Sequence, residues 1–206
     1  MLELRLTLAA AALLLTGSAR GYPDNATMLA EINALRADPQ GYADMLREYR
    51  RGFRGKIHYN GEDDEVGWAT REGADAVDEA IAALDRLAPL PPLGPGRILE
   101  FAAGDHGAAQ GRDGSEGHIG AGGTVPGARV KRRGGDIYVA EVISYGSNTA
   151  ADALRQLVID DGVRNRGHRK LLMQAQYKFA GAWCGPHPRW RAVCVVDLAA
   201  TPDGKP

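Results

Sequence analysis

The segment DDGVRNRGHRKLL, residues 160–172, carries the strongest signal in the chain. It follows a predicted helix with an acidic turn and places His168 between a glycine and an arginine, at the predicted start of a short helix. Two upstream segments carry related chemistry, GHIG at 117–120 and AEVI at 140–143. Two imidazoles and a carboxylate in an apolar run are the groups from which a metal site or a proton-transfer site is built.

Length and charge narrow the class of protein. The chain has 206 residues and a formal net charge of −1, which suits one domain and gives no whole-chain attraction to nucleic acid. Two charged stretches, at 47–65 and 129–133, are interpreted as solvated, mobile loop. The second stretch contains four cations: Arg129, Lys131, Arg132 and Arg133.

The N-terminus has the pattern of a secretory signal peptide at 1–19. Arg5 precedes an apolar run from Leu6 to Leu15, and Gly17 and Ala19 supply the small residues that a signal peptidase requires. The run is short for a bilayer span, so we expect cleavage after Ala19, no stable membrane span afterwards, and a secreted or periplasmic protein. A retained N-terminal anchor is the alternative.

The chain has two cysteines, Cys184 and Cys194. In an oxidising compartment, a pair this close in sequence can form a disulfide across a hairpin. Two buried free thiols are an equally good interpretation, because the sequence does not fix the register of the strands.

Hydrophobic periodicity predicts helices and strands in an order typical of an α+β fold. Helices are expected at 25–49 with a corner at Asp38-Pro39, and at about 70–87, 98–110 and 149–160. Strands are expected at 137–144, about 178–184 and 191–198, the last two as a hairpin. The polar stretch 52–70 is expected to be loop, so that His58 lies in a mobile segment and His187 in an exposed turn.

These segments together resemble the CAP superfamily, named for cysteine-rich secretory proteins, antigen 5 and pathogenesis-related 1 proteins, in its bacterial form. The segment EINALR at 31–36 is similar to the first-helix signature of the family, in which Asn and Arg support the fold. The resemblance implies a three-layer α-β-α sandwich around a mainly antiparallel sheet. It also implies one domain at 20–206, with an insertion at about 52–95.

The resemblance places His118, Glu141 and His168 in a central cleft. A second acid usually comes from the helix before His168, and Asp160 matches it by alignment, whereas helical periodicity turns Asp161 inward. Both remain open. His106 and Arg169 are expected behind the cleft, and His106 also has the pattern of a core histidine whose hydrogen bonds are satisfied.

The leading hypothesis is a secreted CAP-domain protein whose cleft binds a metal ion, Zn²⁺ being the candidate, or a small ligand. The first alternative is a zinc-dependent hydrolase of the cell envelope with Glu141 as base. The second is an interaction module in which the insertion binds an envelope protein, and a lipid is a further possible partner. The sequence offers no nucleophile elbow, Walker motif or HExxH helix, so binding is expected rather than catalysis.

Overall fold

The computed structural model describes residues 21–61, 63–147 and 149–206, and the predicted signal peptide at 1–19 lies outside them. The α-helices are α1 (Asn25–Ala37), α2 (Pro39–Arg50), α3 (Ala74–Leu84), α4 (Arg97–Asp113), α5 (Pro126–Arg132), α6 (Ala150–Ile159) and α7 (Gly167–Leu172). The strands are β1 (Phe53–Arg54), β2 (Ile57–His58), β3 (Trp68–Ala69), β4 (Gly94–Pro95), β5 (Val139–Tyr145), β6 (Phe179–His187) and β7 (Arg191–Ala199). Over the described ranges, no helix combines the length and the apolar character needed to cross a bilayer.

The central sheet has the strand order β4-β6-β7-β5. β6 and β7 form the predicted antiparallel hairpin, β5 is antiparallel to β7, and the two-residue β4 is parallel to β6. The sheet is therefore mainly antiparallel, as predicted. β5 is an edge strand, so its outer side is available to the elements that build the cleft.

Helices cover both faces of this sheet. Side chains alternate along β7, so that Val196 packs with α1, α2, α3, α6 and α7, while Val195 faces α4. The second face is completed by α5, which contacts β5 and α4. Each fully buried Val or Leu on these faces contributes about 1.5–3 kcal/mol. The predicted α+β, three-layer architecture is confirmed.

The corner between α1 and α2 forms where the sequence predicts it. Asp38 ends α1, and its carboxylate accepts a hydrogen bond of 2.8 Å from the Gly41 N–H at the start of α2. Pro39 takes the first helical position, where its missing N–H costs nothing. The two helices thus turn without losing a backbone hydrogen bond at the junction.

Arg36 links α1 to the chain that follows α7. Its side chain is 1% exposed, and its guanidinium donates to the carbonyls of Leu172 and Gln174 at 2.8 and 3.2 Å. It also donates to Pro91 and Tyr177. Arg36, the arginine of the segment EINALR, therefore fixes the end of α7. His168 lies at the start of the same helix.

The region predicted as polar loop is more ordered than expected. β1, β2 and β3 form a small antiparallel sheet at 53–69, and His58 is 3% exposed rather than in a mobile segment. The imidazole stacks between the rings of Tyr49 and Trp68, at centroid distances of 3.9 and 4.5 Å. The prediction failed because charge dominates this stretch and hides the aromatic contacts. The insertion boundaries, 52–95, stay a prediction.

The two cysteines face each other across the hairpin. Cys184 and Cys194 are direct partners in the β6–β7 register, and their sulfurs are bonded. Of the two interpretations that the sequence allowed, the disulfide is the one found.

Candidate functional site

Hydrogen bonds fix the loop that carries His118 at the preceding residue, Gly117. The Gly117 N–H donates to the Tyr145 hydroxyl at 2.8 Å, and the Gly117 carbonyl accepts from the Gln110 amide at 2.7 Å. Gly117 has a φ of 84°, a conformation that favours glycine. A loop with no regular structure therefore presents His118 in a defined place, with 45% of its side chain exposed.

His118 is oriented by a buried carboxylate. Its Nδ1 lies 2.9 Å from Oε1 of Glu141, which projects from β5 with only 1% of its side chain exposed. The other oxygen, Oε2, accepts a hydrogen bond of 2.5 Å from Arg129. Both carboxylate oxygens of Glu141 are thus engaged, one by the imidazole and one by the guanidinium.

Arg129 corrects a prediction. The sequence suggested that the cations at 129–133 lie in mobile loop, but they lie on and just after α5, and Arg129 is 2% exposed. Its guanidinium also donates to the carbonyls of His118 and Thr124 at 3.1 and 3.0 Å. The three cations that follow it in sequence are exposed: Lys131, Arg132 and Arg133. Arg129 is therefore the buried cation of a run whose other cations are exposed.

His168 is oriented in the same way from the opposite layer. It is the second residue of α7, and its Nδ1 lies 2.7 Å from Oδ1 of Asp160. The other oxygen of Asp160 accepts from the His168 backbone N–H at 2.9 Å. Asp160 can point this way because it ends α6 in the left-handed conformation, with a φ of 59°.

The structure separates the two acids that the sequence left open. Asp160 is the partner of His168, whereas the Asp161 carboxylate accepts hydrogen bonds from the backbone N–H groups of Arg71 and Glu72 at 2.7 and 2.8 Å. Asp161 lines the cleft but fixes the segment before α3. Periodicity does not apply to Asp161, because the helix ends at Ile159, two residues before it.

The two imidazoles are neighbours. Their ring centroids are 6.4 Å apart, with an angle of 45° between the planes. An ionised carboxylate only accepts hydrogen bonds, so each Nδ1 donates, and in the neutral form of the ring Nε2 has a free lone pair. Neither Nε2 has a hydrogen-bond partner among the residues that the structure describes.

Both histidines line a cavity of about 760 Å³. Its lining combines aromatic, apolar and polar side chains. The aromatic and apolar members are Tyr49, Phe53, Trp68, Ile143, Tyr145, Leu157 and Ile159; the uncharged polar ones include Asn60, Thr70, Ser147 and Gln156. The volume is within the range of small-molecule sites.

The residues predicted behind the cleft have structural roles. His106 is 2% exposed and hydrogen-bonds through Nε2 to the Gly117 carbonyl at 2.8 Å, and burial lowers its pKa. Arg169 donates to the Val158 carbonyl and to Glu79, both at 2.9 Å, which fixes α7 against α6 and α3. His187 is also buried, and it bonds the Ser115 carbonyl at 3.0 Å instead of lying in an exposed turn.

Sequence reasoning missed two buried groups that support the site, Arg129 and Asp197. Asp197 lies on β7 directly opposite Glu141 and is fully buried. Its signal was available in the sequence, since it continues the alternation of Val193 and Val195 on the α4 face of the strand. An acid at a core position of a central strand is rare enough to mark a polar cluster.

The donor set can be tested for zinc. Zinc–nitrogen bonds are about 2.0–2.1 Å long, so two imidazoles that share a tetrahedral ion through Nε2 have centroids about 5 Å apart. The observed 6.4 Å therefore needs to close by roughly 1 Å, which the half-exposed His118 side chain can supply. In the described part of the chain, no group of three or more His, Cys, Asp or Glu side chains is arranged to hold a metal ion. A zinc ion bound here would therefore have two imidazole nitrogens as its protein ligands, fewer than the three or four that protein zinc sites commonly use.

Comparison with known proteins gives two solved structures of bacterial proteins, each with a TM-score of 0.44. One is an outer surface protein from Borrelia burgdorferi, 16% identical over 53% of this chain and 77% of that one. The other is an extracellular protein containing an SCP domain from Bacillus anthracis str. Ames, 17% identical over 61% of this chain and 37% of that one. No family model and no curated protein matches the chain.

The second structure contains an SCP domain, the type of domain that the sequence resembles. At this level of likeness, neither structure carries a conclusion about function. The functional conclusion rests on the geometry of the cleft.

Proposed function

We propose that this is an exported, CAP-like protein whose cleft binds a divalent metal ion or a small ligand through Nε2 of His118 and of His168. One observation carries the proposal: two imidazoles lie 6.4 Å apart at one cavity, and a buried carboxylate holds the Nδ1 of each. A carboxylate behind a histidine fixes its tautomer and orientation and makes Nε2 a better ligand.

The two pairs come from opposite layers of the sandwich. Glu141 projects from edge strand β5 on the face that α4 and α5 cover, while Asp160 and His168 belong to the α6–α7 layer. The layers meet at β5, so a bound molecule that contacts both histidines bridges them. This arrangement supports binding at one shared site rather than at two separate surfaces.

The buried carboxylates favour binding over hydrolysis. A general base needs an oxygen that can reach a water molecule in the cleft, but the Glu141 side chain is 1% exposed and does not line the cavity. Asp160 is 2% exposed, and its two oxygens accept from the side chain and the backbone N–H of His168. The role of base that the sequence suggested for Glu141 therefore has no support in this geometry. When zinc is bound, it would supply Lewis acidity, and these two acids would orient its ligands.

The aromatic residues that line the cavity suggest the body of the ligand. Trp68 stacks on His58, which stacks on Tyr49, and the Arg155 guanidinium lies 4.5 Å from the Tyr49 ring centroid. Trp68 ends this stack and is 38% exposed at the cleft. A small molecule with a flat or apolar ring and polar substituents would contact both the indole and the imidazoles.

Export is supported by the Cys184–Cys194 disulfide, which is typical of proteins that fold in an oxidising compartment. We therefore propose a secreted or periplasmic location, together with cleavage of the predicted signal peptide.

Zinc titration calorimetry on the chain from residue 20 onward tests the proposal. We expect one saturable site per molecule, and His118→Ala and His168→Ala should each weaken it by at least tenfold because each removes a nitrogen ligand. Glu116→Gln is the matched control, since Glu116 lies two residues from His118 but pairs with Arg189 outside the cleft. Binding that survives both histidine changes would contradict the proposal, and so would equal losses in the control.

A further inference from the structure

Asp197 and Glu141 form a buried pair of carboxyl groups. They are direct partners in the β5–β7 register, so their side chains project from the same face of the sheet at neighbouring positions. Asp197 is 0% exposed, and 1% of the Glu141 side chain is exposed. The pair lies under α4, on the face that Val195 and Ile143 share.

Asp197 has no room for a partner on its other side. Its neighbour on β6 is Gly181, and a Cβ at that position would lie only 2.0 Å from the Glu100 backbone nitrogen of α4. α4 therefore packs directly on the backbone of β6. Among the described groups, neither carboxyl oxygen of Asp197 has a hydrogen-bond donor.

The charges around the pair do not balance if both acids are ionised. Arg129 is the cation that reaches the pair: its Nη atoms donate to Glu141 and to two backbone carbonyls, and its buried Nε has no partner among the described groups, Asp197 included. From α4, the nearby titratable group is His106, which hydrogen-bonds the Gly117 carbonyl and whose pKa burial lowers. Two ionised acids with one guanidinium would leave a buried anion without a partner, which is strongly unfavourable.

The balance is restored when one acid keeps a proton. Glu141 accepts from His118 and Arg129, so it is the member that these donors stabilise as an anion. For Asp197, burial raises the pKa well above its usual value, the charge of Glu141 raises it further, and the charge of Arg129 opposes both. A protonated carboxyl has an O–H donor, which is the group that the neighbouring Glu141 carboxylate can accept.

We propose that Asp197 is a neutral carboxylic acid in the folded protein and that its hydroxyl donates a hydrogen bond to Glu141. Asp197 is then a positioning residue: it completes the set of donors around Glu141, and Glu141 holds His118 with Nε2 toward the cleft. The protonation state of Asp197 follows from its burial and its position beside Glu141, whatever the cleft binds. Its effect on binding rests on the function proposed above.

The pH dependence of stability tests the neutral acid. An unfolded Asp has a pKa of about 3.9, so above that pH the native protein keeps a proton that the unfolded chain has lost. The stability of the wild type should therefore fall as pH rises, until the pKa of the folded state is reached. Asp197→Asn keeps the shape and an N–H donor but does not titrate.

We expect the ratio of the unfolding constants, wild type over Asp197→Asn, to rise about tenfold per pH unit above about pH 4, measured by urea unfolding without zinc. A ratio that is constant from pH 4 to pH 7 would overturn the proposal. If the variant does not fold, ¹³C NMR of the wild-type carboxyl groups gives the answer directly. The Asp197 signal should stay in its protonated position through pH 7, and titration near pH 4 would contradict the proposal.

The positioning role has its own readout. Asp197→Ala removes the donor to Glu141 and should weaken zinc binding about tenfold, as losses behind metal ligands typically do. Asp197→Asn should restore most of that affinity, because its amide donates where the acid did. An equal loss in both variants would contradict the positioning role. The stability test contains no zinc, so its result separates the state of Asp197 from the function of the cleft.

Discussion

At the scale of single residues, the cleft depends on which nitrogen of each imidazole is occupied. The sequence could place two histidines and several acids near one another. It could not show that the carboxylates of Glu141 and Asp160 each form a hydrogen bond with Nδ1 of one histidine. Glu141 shows the difference: the sequence placed it in the cleft, and its hydrogen bonds to His118 and Arg129 favour an orienting role over that of a base. Hydrogen-bond partners decide that role, and they depend on register and loop path, which periodicity does not determine.

Asp160 and Asp161 provide a matched test at this scale. We expect Asp160→Ala to weaken zinc or ligand binding by about 10–100-fold, because it frees the His168 ring to rotate and to change tautomer. Asp161→Ala should change affinity by less than about twofold, since its carboxylate is engaged by the N–H groups of Arg71 and Glu72. Calorimetry on both variants gives the comparison. A larger effect from Asp161→Ala would contradict the assignment.

At the scale of secondary-structure elements, α7 is positioned by ion pairs with the region before and within α3. Arg166 precedes α7 and donates to both oxygens of Glu72, at 2.6 and 2.7 Å, and to Glu79 at 2.8 Å. Glu72 also accepts from the Gly162 N–H at 2.6 Å. The contacts of Arg166 and Gly162 with Glu72 and Glu79 form a clamp that holds the turn between α6 and α7 against the chain around α3. The region at 52–95 therefore helps to position His168, which lies at the start of α7.

This clamp predicts acid sensitivity. Hydrogen bonds from Arg166 and from the Gly162 N–H hold the pKa of Glu72 at about 2, below its value of about 4.3 in an unfolded chain. A lowered pKa stabilises the fold above the unfolded value, and the stabilisation is lost as pH falls from about 4.3 to 2. We expect Glu72→Gln to be less stable at pH 7 and to have a flatter acid limb in urea unfolding.

Glu65→Gln is the control for this experiment, because Glu65 is an exposed glutamate of the same region that has no hydrogen bond to the clamp. It should follow the wild-type curve. If Glu72→Gln matched the wild type at every pH, the clamp would contribute nothing to stability.

Elements with strong local signals were predictable. The corner at Asp38-Pro39, the hairpin of β6 and β7 and the position of α4 follow from proline chemistry, β-branched runs and helical spacing. The small sheet at 53–69 and the buried Arg129 were not predictable, because long-range contacts give these charged segments their structure. A run of charged residues predicts an exposed segment on average. The sequence pattern does not show when one residue of the run, such as Arg129, is buried.

At the scale of the whole molecule, the three-layer sandwich accounts for the site. Neither helical layer carries both histidines, so the cleft exists only because the layers meet at the edge strand β5. The sequence predicted this architecture through its resemblance to the CAP superfamily, and the disulfide closes the hairpin that forms the middle of the sheet. Neither the sequence pattern nor the fold identifies the ligand.

The most direct test of the account is ¹⁵N NMR of the histidine side chains, with the signals assigned by the two alanine variants. It reports which ring nitrogen carries the proton in each neutral imidazole. The account predicts protonated Nδ1 and bare Nε2 in both His118 and His168, and zinc should shift both Nε2 signals at one common midpoint. A neutral ring with its proton on Nε2, at either histidine, would contradict the paired binding site.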